Sequence, residues 1–442
     1  MAMVVKNNMS AISTLNTLNK NSSALAKSLE KVSSGMKINS AADDASGYAI
    51  SERMRVQIRS LDQANNNTQA GNSMMKVAEG AVSSTVDILK TLKEKVINAA
   101  NDTNTDDDRA TIQKELNQSI DQIDDNANVT YNGKYLVDGS KNTIGTVTCT
   151  AMTNQSLNTA TIASSVLTTL TNRNGESLEI ASTDKVTVSY THQGKTYSTT
   201  ATVGSLTMAS LANIAYNAGS KAGDTGASFA FTSTATSIIG TAASGKTVFT
   251  ADGTCAISLQ SKCSGISGQV AGFTIRITDS EGNVKKSANA ALDAFSEQIK
   301  AQNKSEDNAL TFQVGAKANQ SIKVGLGDMR AEALGLKGSD GTKLNISTQE
   351  KANAAINVLD NAVQKALDQQ TTIGSVESRL NYTSTNLTTA SENVQASEST
   401  IRDADMAKEM TNYTKNNVLL QAAQSMLAQA NQNSSSVLSL LQ

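Results

Sequence analysis

Eight residues in the middle of the chain, Gly240-Thr241-Ala242-Ala243-Ser244-Gly245-Lys246-Thr247, match the glycine-rich phosphate-binding pattern letter for letter. Such a loop holds phosphate only when a strand leads into it and a helix begins at the lysine, because the helix N-terminus supplies the amides. Here Val248-Phe249-Thr250 is β-prone and Asp252-Gly253 turns the chain, and no apolar run ending in Asp follows to hold magnesium. The expectation is a Gly/Ser turn between strands. Hydrolytic chemistry fares no better. The single histidine, His192, falls in a predicted hairpin loop and reads as a solvated side chain. A zinc peptidase needs His-Glu-x-x-His, and a Ser/His/Asp site needs a nucleophile that nothing marks. Asp106-Asp107-Asp108 reads as the acidic first turn of a helix rather than a calcium loop. Cys149, Cys255 and Cys263 lack Cys-x-x-Cys spacing. Two readings stay open for them: a Cys255–Cys263 bridge in oxidising surroundings with Cys149 free, or three unpaired small core residues. No enzyme, cofactor or metal site is expected.

With catalysis set aside, the composition points to helical seams. The chain has 442 residues, too many for one compact core, and hydrophobic residues make up only 38%. Aromatics are 3%, with no Trp, so small aliphatic contacts must replace the rings that dominate most cores. The net charge of −2 gives no field favouring nucleic acid, and no apolar run is long enough to insert in a membrane. Proline is absent, where average usage would give roughly 22; helix breakers are excluded with it. Of 27 Gly, 22 fall between Gly133 and Gly341, so Gly-poor ends flank a turn-rich middle.

At the N-terminal end Ala11, Leu15, Leu18, Ser22, Leu25, Leu29, Val32 and Met36 alternate steps of three and four, which predicts a coiled-coil seam. After Gly35 and Ile38–Asp44, Ser40 with Asp43 is expected to cap a second helix through Met54, Ile58 and Leu61. A third helix carries Ile112, Leu116, Ile120 and Ile123. Towards the C-terminus, Ser347-Thr348-Gln349-Glu350 reads as a capping box. An alternation then runs from Ile356 through Leu359, Val363, Ala366, Ile373, Leu380, Leu387 and Val394 to Ile401, roughly 70 Å of helix. A last stretch carries Met406, Met410, Tyr413, Leu420, Leu427, Leu438 and Leu441, weakened by Asn417 and Gln424. A stripe two residues wide in seven needs a partner helix, and the matching stripes lie at opposite termini. Closing the long loop between them costs little extra, because the penalty grows logarithmically. The middle, about 141 to 345, reads as a β-rich, separate outer domain, with a hairpin turning at Gln193-Gly194 and an alternating strand Gly272–Thr278.

The end segments resemble bacterial flagellins. Ser34-Gly35-Met36-Lys37-Ile38-Asn39-Ser40-Ala41-Ala42-Asp43-Asp44-Ala45-Ser46-Gly47 and Ile401-Arg402-Asp403-Ala404-Asp405-Met406-Ala407 are similar to two long signatures of that family, as are Gln313–Ala316 and the Leu438–Leu441 end. Where the family often carries Pro near its end, Asn433-Ser434-Ser435-Ser436 stands instead. Junction relatives between hook and filament share parts of these helices, but the complete second signature favours the filament subunit. The expected fold is α+β: an elongated antiparallel helical bundle or coiled coil from paired terminal segments, with an inserted β-rich outer domain. The expected division is 1–44 and 401–442 for assembly helices, 45–140 and 310–400 for the rod, and 141–309 for a surface-exposed insertion.

The resemblance implies a structural subunit of the swimming filament, secreted to the extracellular flagellum without a cleaved signal. It also implies partners: copies of itself, an export chaperone, a filament cap and hook-associated proteins. The assembly interface is expected to use Leu15, Leu18, Leu25, Leu29 and Val32 with Met410, Leu420, Leu427, Leu438 and Leu441. A toll-like innate receptor of a host is implied as a further partner, with Lys90, Thr91, Leu92, Glu94, Lys95 and Glu115 as receptor-facing candidates. Thr91 stands where the family has Arg, and Lys95 where it has an apolar residue, so weak recognition is expected. For Leu92 and Val96, packing is the preferred role. A binding module displayed by 141–345 is the second class of function.

Overall fold

The computed structural model describes residues 8–221, 229–233, 237–250 and 253–439. Its helices are α1 (Met9–Ser34), α2 (Ala45–Ala99), α3 (Asp106–Ala127), α4 (Met208–Lys221), α5 (Lys286–Leu292), α6 (Gln349–Arg402) and α7 (Met406–Ser439). Its strands are β1 (Thr130–Tyr131), β2 (Lys134–Tyr135), β3 (Ala151–Asn154), β4 (Lys185–His192), β5 (Lys195–Thr202), β6 (Phe229–Ser233) and β7 (Ile238–Thr241). They continue as β8 (Thr247–Phe249), β9 (Ile257–Ser261), β10 (Val270–Thr278), β11 (Phe295–Ile299), β12 (Leu310–Gln313) and β13 (Ser321–Val324). In chain order, long helices at both ends flank a strand-rich middle, the α+β arrangement predicted. Two compact units result. The first gathers the described residues up to Thr68, Gln313–Gln320 and those from Tyr382 onward; the second holds Gln69–Phe312 and Ser321–Asn381.

In the second unit the inward face of α2 is Met75, Ala78, Val82, Val86, Leu89, Leu92 and Val96, all buried. Leu116, Ile120 and Ile123 of α3 and Leu359, Ala366, Ile373 and Leu380 of α6 are buried with them, at the spacing the sequence predicts. Thr85 sits on the same buried face because its hydroxyl donates to the Ala81 carbonyl at 3.0 Å, which removes the penalty for burying it. Thr105 opens α3 with a reciprocal capping box to Asp108, and Asp106 pairs with Arg109. The three aspartates therefore form the first turn of a helix.

The middle is not set apart from these helices. Strand order is β10-β4-β5 in one sheet and β11-β3-β9-β6 in another. Phe273 meets Phe231 and Phe295 edge-on in the core that also buries Leu211 of α4 and Leu292 of α5. β10 lies directly on α6. A Cβ at Gly272 would come within 2.7 Å of Val358 Cγ2, and Asn361 Nδ2 donates to the Ala271 carbonyl at 2.9 Å. Glycine is needed there for close approach, and the sequence reading of a separate domain is corrected to one packed on the helices.

Two decoys resolve in this region. β7 pairs antiparallel with β8, and Ala242 N donates to Lys246 O at 2.8 Å with Gly245 at φ 77°. The phosphate-loop pattern is a hairpin turn, with no helix behind its lysine. The predicted hairpin at Gln193-Gly194 forms with both residues at positive φ, 48° and 73°. His192, however, is no solvated loop residue. It ends β4, is buried, and its Nε2 lies 2.9 Å from the Ser267 carbonyl. The β4–β10 pairing carries it one residue deeper into the sheet than turn chemistry alone indicates.

Candidate assembly surface

Within the first unit α1 and α7 run antiparallel. Asn8 Nδ2 donates to Ala430 O at 3.2 Å, Asn21 Nδ2 to Leu419 O at 3.2 Å, and Asn416 Nδ2 to Ser28 Oγ at 3.2 Å. Their shared seam on α1 is Ala11, Thr14, Leu18, Asn21, Leu25, Ser28 and Val32, all buried or half-buried. On α7 it is Tyr413, Asn416, Leu420, Ala423 and Leu427. Leu18, Leu25, Val32, Leu420 and Leu427 thus lie in the seam. Leu15 and Leu29 do not: they are 45% and 52% exposed on the neighbouring face. Met410 is exposed as well, and Ala423 rather than Gln424 turns inward. Leu438 belongs to α7 at a position whose side chain is not described, and Leu441 lies outside the described residues.

The correction has a physical cause. α1 carries an apolar stripe too wide for one partner, and the side facing α7 uses polar Thr14, Asn21 and Ser28, two of which hydrogen-bond across the seam. Other apolar side chains are left over. Met9, Ile12, Leu15 and Leu29 on α1, with Met406, Met410, Val418, Leu419 and Met426 on α7, are large apolar side chains standing in solvent. Apolar residues scattered singly need no explanation, but nine among the described side chains of two paired helices are a concentration that asks to be covered.

The junction below this pair is built by the two signature segments. Gly35 ends α1 in the left-handed region at φ 71°, its amide donating to Lys31 O. Lys37 N then donates to Arg402 O at 2.6 Å and Ala404 N to Gly35 O at 2.9 Å, which ties the α1–α2 turn to the α6–α7 turn. Asp44, not Ser40 with Asp43, caps α2, accepting from Ser46 N and Gly47 N at 3.0 Å each. Asp43 instead closes the preceding turn on Asn39 N and Ser40 N. These amide donors hold both carboxyls below their ordinary range. Gly47 has no room for a side chain, since a Cβ would sit 2.6 Å from Asp44 Oδ2 and 2.8 Å from Ile38 Cδ1. Asp405 caps α7 through Ala407 N and Lys408 N. Arg402, with 6% of its side chain exposed, donates to Glu52 at 2.7 Å and lies 5.4 Å from the Tyr48 ring centre. That guanidinium, with Arg55 second, lowers the Glu52 carboxyl below its usual value. Above the junction Leu61, Ala64 and Leu387 are buried together, and Ser391 Oγ donates to Asp62 at 2.9 Å.

The receptor-facing candidates lie in the second unit and divide. Lys90, Thr91, Glu94 and Glu115 are exposed, and Lys95 reaches Glu115 at 3.1 Å. Lys90 pairs with Asp87 at 3.2 Å, and Thr91 Oγ1 donates back to Asp87 O at 3.0 Å. Leu92 is only 2% exposed and faces the helical core, so it cannot contact a partner. At the start of α6, Thr348 Oγ1 accepts from Lys351 N at 3.3 Å, so the cap falls one residue later than the predicted box.

A terminal helix pair whose shared seam is filled and whose other large apolar side chains stay exposed fits a structural subunit that associates with further copies. Residues 5–142 match the bacterial flagellin N-terminal helical region, and residues 356–441 match the bacterial flagellin C-terminal helical region. The chain is 35% identical to a flagellin of Clostridium tyrobutyricum, covering 97% of this chain and 99% of that one. It is 30% identical to a flagellin of Bacillus subtilis (strain 168), over 99% and 100% of the two. Among solved structures, FliC from Burkholderia pseudomallei is 17% identical over 70% of this chain and 99% of that one, with a TM-score of 0.25. The junction protein FlgL from Legionella pneumophila is 16% identical over 80% and 99%, with a TM-score of 0.33. The chain belongs to the bacterial flagellin family, and it is a structural subunit of the flagellar filament.

Proposed function

We propose that the subunit polymerises by covering the exposed apolar side chains of α1 and α7 with the same helices of neighbouring copies. Leu15, Leu29 and Met410 make contacts between subunits, while Leu18, Leu25, Val32, Leu420 and Leu427 hold the pair within each subunit. Leu438 and Leu441 take part in the same interface. The observation that carries this is the concentration of exposed large apolar side chains on the two terminal helices. A contact that is heterologous and does not close generates a helical polymer. Ordering of a thin two-helix pair gains most of its stability when neighbours bury it, so folding of the ends is coupled to assembly. The protein carries out no catalysis in this role. It reaches the exterior through the flagellar export apparatus, escorted by a chaperone on its C-terminal helix, and meets the cap and hook-associated proteins there. The domain division is 1–44 and 401–442 for assembly, 45–140 and 310–400 for the supporting helices, and 141–309 for the exposed insertion. Seeded growth of the purified chain followed by electron microscopy tests the proposal. The full chain is expected to give filaments, and a chain ending at Asp405 only soluble monomer. Filaments from the truncated chain would refute it.

A second, weaker role is as ligand of a toll-like receptor through Lys90, Thr91, Glu94, Lys95 and Glu115. Its support is that these side chains are exposed or partly exposed, Lys95 and Glu115 already paired. Thr91→Arg restores the side chain that most often anchors interfaces, and is expected to raise potency in a receptor reporter assay about tenfold or more. Unchanged potency would remove this role.

A further inference from the structure

We infer that a cavity between the polar face of β4 and β10 and the start of α6 binds a small zwitterion. Its ammonium end lies against Asp293 and Glu350 and its carboxylate end against Arg276. The cavity holds about 610 Å³, within the range of small-molecule sites, and every residue lining it belongs to the second unit. It exists because the sheet has two unlike faces. On one side Val186, Val188, Phe273, Ile275 and Ile277 are buried in the core. Successive strand residues point to opposite faces, so Thr187 and Ser189 of β4 and Thr274 and Arg276 of β10 share the other. Thr187 and Ser189 bond to Thr200 and Ser198 of β5 at 2.9 and 3.1 Å, which satisfies them within the sheet. Arg276 has no such arrangement. Its guanidinium makes no hydrogen bond or ion pair among the described residues.

Asp293, just after α5, lines the same cavity. The Ile275 amide bonds to its carboxyl and Asn357 Nδ2 donates to it at 3.4 Å, but no cation pairs with it among the described residues. Burial pushes this carboxyl up to about 6, against the lowering from those two donors. Holding the outer edge of β10 does not require a carboxylate. Two residues along, the Ile277 amide donates to the Asn289 side chain at 2.6 Å, where a neutral carboxamide serves. Asp293 thus places a partly buried charge where the fold needs only an acceptor. An acid held this way in a cleft marks a binding site. Glu350 adds a second carboxylate at the exposed rim, where it accepts from Ser198 Oγ at 3.3 Å.

Arg276 and Asp293 border one cavity and do not pair with each other. An occupant with opposite charges at its two ends satisfies both. An amine alone leaves the guanidinium bare, and an anion alone meets two carboxylates. Charge-assisted bonds at both ends give such a molecule its preference over either half. The Thr274 hydroxyl and the Asn353 carboxamide on the same walls supply neutral hydrogen bonds.

The test titrates the full chain, as folded monomer, with unbranched ω-amino acids from glycine to 6-aminohexanoate, followed by saturation-transfer NMR. Butylamine and butanoate are the one-ended controls. At least one zwitterion is expected to bind about tenfold or more tighter than either control. Asp293→Asn should remove its advantage over butanoate, and Arg276→Gln its advantage over butylamine. No binding of any zwitterion at about 10 mM would overturn the inference. So would butylamine binding as tightly as the best zwitterion, or affinity that both variants leave unchanged. Thermal unfolding separates loss of the site from loss of the fold. Because burial disfavours the ionised Asp293, the Asp293→Asn variant should unfold at or above the wild-type temperature near neutral pH. The site takes no part in polymerisation, so failure here leaves the proposed function untouched.

Discussion

Replacing Leu15 and Leu29 together with aspartate is expected to raise the subunit concentration needed for filament growth by at least about 10-fold. Both side chains are half exposed in the single chain, on the face of α1 beside the α7 seam. The rest of their burial therefore comes only from another molecule. Covering a fully exposed leucine is worth about 1.5–3 kcal/mol and about half of each remains to be covered, so losing two costs about 1.5–3 kcal/mol per subunit added. At roughly 1.4 kcal/mol per factor of ten this corresponds to about 10–100-fold in concentration. A carboxylate forced into the interface adds a desolvation cost in the same direction. Sedimentation of polymer grown from wild-type seeds reads the effect. The variant monomer should keep its unfolding temperature, because neither leucine supports the second unit. An unchanged growth threshold would mean that this face stays bare in the filament.

Leu92→Ala is expected to destabilise the second unit by about 2–5 kcal/mol. Leu92 is 2% exposed, one turn from Leu89 and Val96 on the buried face of α2, where the surrounding helices cannot collapse to fill the gap. Its neighbour Thr91 is exposed, and Thr91→Ala should shift stability by no more than about 0.5 kcal/mol. Chemical denaturation of both monomers checks the contrast. Equal effects would mean that the inward face of α2 has been assigned to the wrong residues.

The helices that bury one apolar stripe against a compact unit were legible from spacing alone. In α6, Leu359, Ala366, Ile373, Leu380 and Leu387 recur at steps of seven and are all buried. α1 defeats the same criterion because it has two partners to satisfy. Thr14, Asn21 and Ser28 occupy the seam with α7, and choosing the nearest apolar residues instead selects Leu15 and Leu29, which point elsewhere. The signal was present as excess: Ile12 beside Leu15, and Leu419 beside Leu420, widen each stripe beyond what one helix covers. The two signature segments are recognised by likeness, yet their physics is local. Gly35 supplies a left-handed turn, Asp44 and Asp405 cap helices, and Arg402 reaches Glu52 from the other end of the chain. No spacing rule predicts that last contact. His192 failed for a related reason, because strand pairing with β10, invisible in one hairpin, decides its burial.

Backbone hydrogen exchange, compared between monomer and seeded filament, measures the central claim most directly. If the terminal helices are completed only by neighbouring molecules, amides of residues 9–34 and 406–432 should exchange at least about 100-fold faster in the monomer than in the filament, while those of residues 75–99 and 354–380 should be slow in both. Equal protection of the terminal helices in the two states would contradict it, since the pair would then be complete without any partner.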